Sequence, residues 1–308
     1  MTTIQIAGAA GLTPQSLGAL FRSAVSDSRA LDRVVTLGPG IFDFGPFPAM
    51  VAGHRLIVRG AGRDATVLVG HGETHSSFAC AIECTARDVT FEDLTLQSDV
   101  GAGAQSCVVG YASSRTVEGA SLTIRRCRVL GSMFGVYSWI APRHRILLED
   151  SEIAAGRFVC APAMSGAGAD STYLTIRRCV IRGDASLRQI ADDAPPPNVT
   201  GDDETYSTVY GIYFRGGTVK VYDSLFDLKR DSHMHAVLGV GFPSNAAAGS
   251  KLSLVNCVFE IEPNGALRAA DIETQLPSVV PDIQIYGGVG HQGGLPQIVV
   301  EAAEHIEQ

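Results

Sequence analysis

The sequence contains one six-residue segment twice, letter for letter, and this duplication restricts the folds that the chain can adopt. We call LTIRRC and five segments of the same apolar pattern the ladder segments: LIVRGA (56–61), VTFEDL (89–94), LTIRRC (122–127), ILLEDS (146–151), LTIRRC (174–179), VKVYDS (219–224) and LSLVNC (252–257). Their first residues are 33, 33, 24, 28, 45 and 33 positions apart. Apolar residues at the first and third places predict strands with one buried face, and this spacing is typical of a solenoid with stacked coils.

Charge signs alternate from one ladder segment to the next. The fourth places include Arg59, Glu92, Arg125, Glu149 and Arg177, and the fifth include Asp93, Arg126, Asp150, Arg178 and Asp223. Equivalent positions of parallel coils lie about 4.8 Å apart. At that distance like charges repel, and opposite charges attract by about 0.2–1 kcal/mol per pair. The same basic segment can therefore return only after an acidic copy, as observed.

The sixth place of the ladder segments predicts a second ladder, made of small residues that fit an inward turn. From the second segment onward its members are Leu94, Cys127, Ser151, Cys179, Ser224 and Cys257. The chain has seven cysteines without a CxxC motif or Cys/His metal spacing, so we expect reduced, buried thiols and neither a metal site nor a cofactor.

A two-domain α/β fold would need helical patterns between the strands, and the sequence shows one convincing helix, near its start. Thr13 is a candidate N-cap, Pro14 suits the first turn, and the apolar stripe consists of Leu17, Leu20, Phe21 and Val25. We therefore predict an all-β fold, a single-stranded parallel β-helix in one domain over residues 1–308. The helix would cap the coils within residues 1–33, the coils would span about 34–290 with a long loop at 183–207, and 291–308 would form a tail.

The composition excludes some classes of partner. The net charge is −8 and there is no basic run, which disfavours nucleic acid and anionic membranes. No segment reaches the ~18–20 apolar residues of a membrane span. Lys and Arg are absent before Arg22, unlike in a secretory signal, so we expect a cytoplasmic location.

Residues 34–68, VVTLGPGIFDFGPFPAMVAGHRLIVRGAGRDATVL, resemble the first coils of pectin-lyase-like, right-handed parallel β-helix proteins. These commonly have an apolar-Pro-Gly-x-[YF] segment, a strand, and then Gly-x-Gly followed by an acid and Thr. The resemblance implies the handedness and the fold. The superfamily includes pectin methylesterases, pectate lyases, polygalacturonases, epimerases and non-catalytic proteins. The QDT-type and DFIFG-type strands of the methylesterases and the calcium-binding carboxylates of pectate lyases are absent, so no catalytic residue is carried over.

A second strand precedes each ladder segment, and its outward residues are the candidate site. FGVYSWI (134–140) aligns with YGIYFRG (210–216). If Val136 and Ile212 point inward, a period of two places other residues outward. This outward set is Tyr137, Trp139, Tyr213 and Arg215, joined on earlier coils by Tyr111 and Glu83, with Cys160 between the two aromatic rows. Aromatic, guanidinium and carboxyl groups on one face are typical of a site for a sugar or another oxygenated small molecule.

Four of the candidate residues are predicted to be catalytic. His235 would abstract a proton, Arg215 would neutralise the developing negative charge, and Tyr213 or Tyr137 would act as the acid. The remaining candidates would bind substrate: Trp139, Tyr111, Glu83, His233, Arg143 and His144. The predicted activity is metal-free acid–base chemistry of the lyase, epimerase, isomerase or cyclase type on a saccharide or oxygenated small molecule.

Three alternatives stay open at the level of sequence. Long loops that cover the aromatic residues would make them ordinary packing, and the protein would then be a non-catalytic glycan-binding or assembly β-helix. A glycoside hydrolase would need two carboxylates about 5–9.5 Å apart, and Glu83 is the one strand acid of the outward set. The loop at 183–207 could form a wall of the cleft or a separate surface loop. The sequence is compatible with a monomer and with a homo-oligomer.

Overall fold

In the computed structural model of the protein, the residues that are described are 1–8, 11–26, 32–45, 49–71, 79–98, 106–111, 119–132, 134–138, 143–156, 158–161, 172–184, 187, 208–214, 217–228, 234–241, 251–261, 271–273 and 282–286. Their strands form three sheets in which every strand pairs in parallel with its neighbours. The predicted tail, 291–308, and most of the predicted loop at 183–207 lie outside these residues.

Sheet A contains the ladder segments. Its ten strands, in spatial order, are β1 (Thr2–Ile6), β2 (Asp32–Leu37), β5 (Arg55–Arg59), β8 (Asp88–Glu92), β11 (Ser121–Arg125), β14 (Arg145–Glu149), β17 (Tyr173–Arg177), β20 (Thr218–Tyr222), β23 (Lys251–Val255) and β26 (Asp282–Tyr286). Neighbours in this order are three strands apart in the chain for most of the sheet, which is the topology of a β-helix with three strands per coil.

Sheets B and C complete the coils. Sheet B contains β3 (Gly40–Asp43), β6 (Thr66–Gly70), β9 (Thr95–Ser98), β12 (Arg128–Gly131), β15 (Glu152–Ala155), β18 (Val180–Gly183), β21 (Leu225–Leu228) and β24 (Val258–Ile261). Sheet C contains β4 (Ala49–Val51), β7 (Ala79–Cys84), β10 (Ser106–Tyr111), β13 (Phe134–Ser138), β16 (Phe158–Ala161), β19 (Thr208–Phe214), β22 (Met234–Gly241) and β25 (Asp271–Glu273). The predicted all-β parallel β-helix is confirmed.

The turn from sheet A to sheet B takes a left-handed backbone conformation at the fifth place of six ladder segments. The φ angles lie between 49° and 58° at Asp93, Arg126, Asp150, Arg178, Asp223 and Asn256. Asp and Asn tolerate this conformation well, because their short side chains bond locally, whereas Arg does so rarely. The two arginines therefore need a compensating interaction.

Ion pairs between neighbouring coils supply that interaction. Arg126 donates two hydrogen bonds to Asp93, 2.7 Å from Nε to Oδ1 and 2.8 Å from Nη2 to Oδ2. Arg178 binds Asp150 in the same way, at 2.7 and 3.0 Å, and also donates to Glu149 at 2.9 Å. The predicted charge ladder is thus confirmed. Each arginine of the fifth place forms its two-pronged pair with the acid of the preceding coil.

Glu92 is the most enclosed charge of the ladder. Its side chain has no solvent exposure and accepts hydrogen bonds from Arg59 and from Arg125, the latter at 2.6 Å from Nε to Oε2. Arg126 Nη2 lies 3.4 Å from the same carboxylate. Burial raises the pKa of Glu92, but the hydrogen bonds from Arg59 and Arg125 outweigh it, so the pKa lies below its ordinary value. Glu92 is therefore ionised at neutral pH.

The sixth places form the second predicted ladder, in which Cys and Ser alternate. Ser151 Oγ accepts the backbone N–H of Cys127 from the preceding coil at 3.1 Å and donates to the carbonyl of Glu149 at 2.7 Å. Ser224 makes the same bond to the N–H of Cys179, at 3.1 Å. Burial raises the pKa of the Cys127 thiol to about 12 and that of Cys179 to about 11. Serine thus supplies a hydroxyl that satisfies a buried donor, and cysteine fills the alternate coils.

The helix α1 (Pro14–Ser26) lies against β3 and β4 at the N-terminal end of the coils. Thr13 Oγ1 accepts the N–H of Ser16 at 3.2 Å, which confirms the predicted N-cap. Leu17 and Phe21 are buried, whereas Leu20, predicted to belong to the same stripe, is 47% exposed. That part of the prediction is wrong, because the buried face of the helix is narrower than the apolar stripe. No helix among the described residues is long and apolar enough to cross a membrane.

Candidate functional site on sheet C

One residue from each strand of sheet C lies in a single line across the coils, and we call this line the site column. Backbone register joins Met50, Glu83, Gly110, Tyr137 and Ala161 in order, and continues through Tyr213, Gly239 and Asp271. From Glu83 onward a polar side chain alternates with glycine or alanine. Adjacent coils are about 4.8 Å apart, so the polar residues recur at about 10 Å.

At Glu83 and Tyr137 the site column lies on the outer face of the sheet. Ile82 and Cys84, on either side of Glu83, are buried in the core, as are Val136 and Ile212. The predicted inward orientation of Val136 and Ile212 is confirmed. Glu83 is half-buried. Its carboxylate adds to the effect of burial, the main cause, in raising the pKa of the neighbouring Cys84 thiol.

Strict alternation fails at the start of the sheet C strands. A Cβ atom added to Gly135 would lie 2.9 Å from Ile153 Cγ2, a core atom, so Gly135 faces the core as Val136 does. Val159 on the neighbouring strand β16 and Ala81 on β7, two strands away, also belong to the core. Two consecutive residues therefore face inward, and Phe134 shares the outer side with Tyr137. Their ring centroids are 5.0 Å apart at an interplanar angle of 60°, an edge-to-face contact.

Tyr137 lies on the outer side of the sheet, but its side chain is only 1% exposed. All five residues of β13 are buried, so both faces of this strand are covered. The sequence allows two interpretations of this ring, an open aromatic surface or ordinary packing. Its burial fits ordinary packing better. Its predicted role as an acid stays a prediction, and direct contact with substrate would require the cover to move.

Two residues of the predicted outward set lie elsewhere in register. Tyr111 pairs with Ser138 and therefore sits one position beyond the site column, which runs through Gly110 on that strand. Cys160 pairs with Val136 and Ile212, is fully buried in the core, and has a thiol pKa raised mainly by burial. The prediction that it separates two aromatic rows is wrong. The prediction assumed that every second residue of these strands faces inward, whereas two consecutive residues, Gly135 and Val136, do so.

His235, predicted to abstract a proton, lies away from Tyr213 in backbone register. His235 pairs with Val209, whereas Tyr213 pairs with Gly239, four residues further along β22. At about 3.3 Å per residue, His235 lies about 13 Å along the strand from the position opposite Tyr213. His235 and Tyr213 are therefore not neighbours in backbone register, and the catalytic role of His235 stays a prediction. Arg215, Trp139 and His233 lie outside the described residues.

Arg143 and His144 lie in the turn that leads into β14. Arg143 is exposed and has a φ of 60°. His144 is 1% exposed, and its burial lowers its pKa to about 4, so the imidazole is neutral near pH 7. The carbonyl of His144 accepts the N–H of Tyr173 at 2.7 Å. The predicted role of His144 in substrate binding does not fit a side chain in this buried position.

The acids of the site column are widely separated. Glu83 and Asp271 are six coils apart, which corresponds to about 29 Å, far more than the roughly 5–9.5 Å that a glycosidase carboxylate pair requires. Within the described ranges, no group of three or more His, Cys, Asp or Glu residues is arranged to hold a metal ion.

No protein-family model and no curated protein sequence matches this chain. Solved structures do match. A pectin methylesterase in complex with a hexasaccharide is 11% identical, with a TM-score of 0.59 over 92% of this chain and 88% of that chain. This structure and the present chain share the parallel β-helix fold. Pectin methylesterases from Aspergillus niger (11% identity, TM-score 0.56, 98% and 91% covered) and Erwinia chrysanthemi (12%, 0.54, 84% and 78%) are also similar. At these identities the similarity concerns the fold, and confirms the resemblance seen in the sequence.

Proposed function

We propose that this pectin-lyase-like β-helix is a carbohydrate-active enzyme that binds a saccharide across the site column of sheet C. The observation on which the proposal rests is the alternation of Glu83, Tyr137 and Tyr213 with Gly110 and Ala161. Glycines such as Gly110 leave gaps in which a ligand can approach the backbone closely, whereas Tyr137 and Ala161 are buried and would not contact it directly. Sugar hydroxyls fit such gaps, because the flanking carboxylate and backbone groups can hydrogen-bond them.

The similar structures support the same substrate class. They are pectin methylesterases, and the most similar of the three reported holds a hexasaccharide. In our proposal, Glu83 binds substrate hydroxyls over the gap at Gly110. The chemistry takes place at the Tyr213 strand, two coils beyond Tyr137, on the part of the column that Ala161 and Gly239 flank.

The reaction that we favour is proton transfer of the lyase, epimerase or isomerase type. Tyr213 would exchange a proton with the substrate, and Arg215, two residues later in the chain, would neutralise a carboxylate or enolate as charge develops. His235 is a weaker candidate for the group that transfers the proton, because it pairs in register with Val209 and not with Tyr213. Ester hydrolysis is the second candidate, and the fold of the similar enzymes favours it, although the sequence lacks methylesterase-type strands.

Product analysis separates these reactions. The purified protein is incubated with galacturonate oligosaccharides of low and high methyl esterification. Elimination yields a product with an ultraviolet-absorbing double bond, ester hydrolysis releases methanol, and glycoside hydrolysis creates new reducing ends without the ultraviolet signal. We expect the first signal from a lyase, whereas an epimerase or isomerase would give none of the three and would be detected as a change in the proton NMR couplings of the sugar ring. Methanol release without the ultraviolet signal would replace our reaction class by esterase, and binding without any product would indicate a non-catalytic glycan-binding protein.

Variants test the assignment of the site. We expect Tyr213→Phe to lower kcat at least about 100-fold, the usual contribution of a positioned acid–base group. Glu83→Gln should raise KM with a smaller effect on kcat. Tyr286→Phe removes the same hydroxyl from sheet A and serves as the matched control. Full turnover by both Tyr213→Phe and Glu83→Gln would show that the site column is not the active site.

A further inference from the structure

The outer face of sheet A contains a group of cations that the ladder does not neutralise. We define the cationic face as the exposed side of β14, β17 and β20. It includes Arg145, Tyr173, Thr175, Arg177, Lys220 and Tyr222. Register pairs Arg145 with Tyr173, Thr175 with Lys220, and Arg177 with Tyr222. These residues point away from the core, because Ile146, Leu174, Ile176, Val219 and Val221 between them are buried.

The three cations of this face differ from those on the N-terminal part of the same sheet. Arg59 and Arg125 there bind the buried carboxylate of Glu92. Arg145, Arg177 and Lys220 are exposed, and within the described part of the chain they form no ion pair with a carboxylate. Glu149, beside Arg177 in register, has its carboxylate engaged by Arg178 at 2.9 Å. In a chain of net charge −8, this is a local excess of positive charge.

Two tyrosines lie among these cations. Tyr173 is 45% exposed, an unusual degree for so large an aromatic side chain on a strand. The Tyr222 ring is half-buried, with the Arg177 guanidinium 5.7 Å from its centroid, a cation–π contact that holds the guanidinium over the sheet. Thr175 lies between the two rows and adds a half-buried hydroxyl. The face thus combines positive charge, aromatic surface and a hydroxyl group on a rigid support.

We propose that the cationic face binds an anionic polysaccharide, a polyuronate, with its carboxylates on Arg145, Lys220 and Arg177 and a sugar ring against Tyr173. From strand spacing, the backbone positions of the three cations lie about 8–14 Å apart. A polyuronate has one carboxylate per sugar, so every second or third unit can meet a cation. DNA has one charge per roughly 1.7 Å of its axis, a spacing that three cations about 8–14 Å apart match less well than the spacing of one carboxylate per sugar. The face belongs to sheet A, and the site column to sheet C, so this is a second, non-catalytic contact with the substrate.

The inference rests on the proposed function, because it names the substrate class as an anionic chain. It also adds a distinct role, in which the face holds a long chain near the site column and increases its local concentration there. Short substrates that occupy only sheet C would not benefit. A loss of binding on the cationic face should therefore raise KM for long chains and leave the turnover of short oligosaccharides unchanged.

The test uses the full chain and oligogalacturonate of defined length, with calorimetry as the readout. The variant combines Arg145→Gln, Arg177→Gln and Lys220→Gln, which remove charge and keep side-chain length. We expect Kd to rise about tenfold, since exposed ion pairs are individually weak and three are lost. Binding by the native protein should weaken as salt is raised. Arg55→Gln, an exposed residue of the same sheet whose register neighbours are Asp32 and Asp88, is the matched control and should bind normally.

Each other outcome contradicts the proposal. Unchanged affinity in the triple variant, or an equal loss in Arg55→Gln, would show that the cationic face does not hold the saccharide. Equally tight binding of neutral xylo-oligosaccharides would exclude recognition by charge. Tighter binding of duplex DNA or of phosphatidylserine vesicles, lost in the triple variant, would assign the face to another partner. Turnover by Glu83→Gln and Tyr213→Phe reports on sheet C alone, so failure of the two proposals can be told apart.

Discussion

Glu92→Gln tests the charge ladder at its most buried point. The substitution keeps the shape of the side chain but removes the charge and one acceptor, and it turns an NH₂ group toward a guanidinium. Hydrogen bonds to charged groups contribute about 1.5–3 kcal/mol each. The side chains of Arg59 and Arg125 are 51% and 39% exposed, so water compensates for part of the loss. We therefore expect a decrease of about 2 kcal/mol in the free energy of unfolding.

The measurement is urea unfolding of the native protein and the variant as a function of pH. A loss of about 2 kcal/mol corresponds to a Tm lower by about 4–8 °C in a large domain. Because the folded-state pKa of Glu92 lies below its ordinary value of 4.5, its contribution is fully present above that value and disappears as pH falls through the folded-state pKa. The difference between the two proteins should thus be largest at neutral pH and shrink in acid.

Glu149→Gln is the matched control. Glu149 occupies the equivalent place two segments later, but it is half-buried and its partner Arg178 is exposed. Its substitution should have a smaller effect, with weaker dependence on pH. If Glu92→Gln destabilises the protein no more than Glu149→Gln, or if the difference persists unchanged in acid, the ladder is a surface feature without a buried ionic anchor.

Three further predictions concern the turns and the core. Arg126→Asp places like charges at Asp93 and its neighbour and should lower the free energy of unfolding in urea by about 1 kcal/mol. Arg126→Asn, which suits the left-handed turn, should lower it by less. Equal stability of the two variants would exclude repulsion between like charges, and native stability of both would exclude a contribution from the ion pair. Gly135→Ala should lower the unfolding free energy by more than about 2 kcal/mol, because the new methyl carbon would lie 2.5 Å from the carbonyl oxygen of Val159, and a normal Tm would refute the inward orientation. Cys127, with a pKa of about 12, should resist iodoacetamide at pH 8 until urea unfolds the chain, and labelling of the native protein in a mass spectrum would contradict its burial.

The alternation of opposite charges follows from the parallel stacking of identical positions. A parallel solenoid places every residue directly beside its equivalents in the coils before and after it. A column of one charged residue type would repel along its whole length, so the column alternates, as Asp93, Arg126, Asp150 and Arg178 do. The Ser–Cys column shows the same two-coil period in its hydrogen bonds, and the site column shows it in the alternation of large and small residues. The two-coil period is therefore a general property of this chain and extends beyond its charges.

The sequence by itself determined the coils, their register in sheet A and the ion pairs at the turns. This was possible because each coil repeats one short pattern, so that Arg126 and Asp93 become neighbours through register alone. The outer face of sheet C depended on the tertiary structure. Gly135 and Val136 both turn inward where sheet C leaves the corner of the coil, and this extra inward residue shifts the outward positions away from a period of two. Whether an outward ring such as Tyr137 is exposed to solvent depends on its surroundings in the folded protein, which local periodicity does not encode.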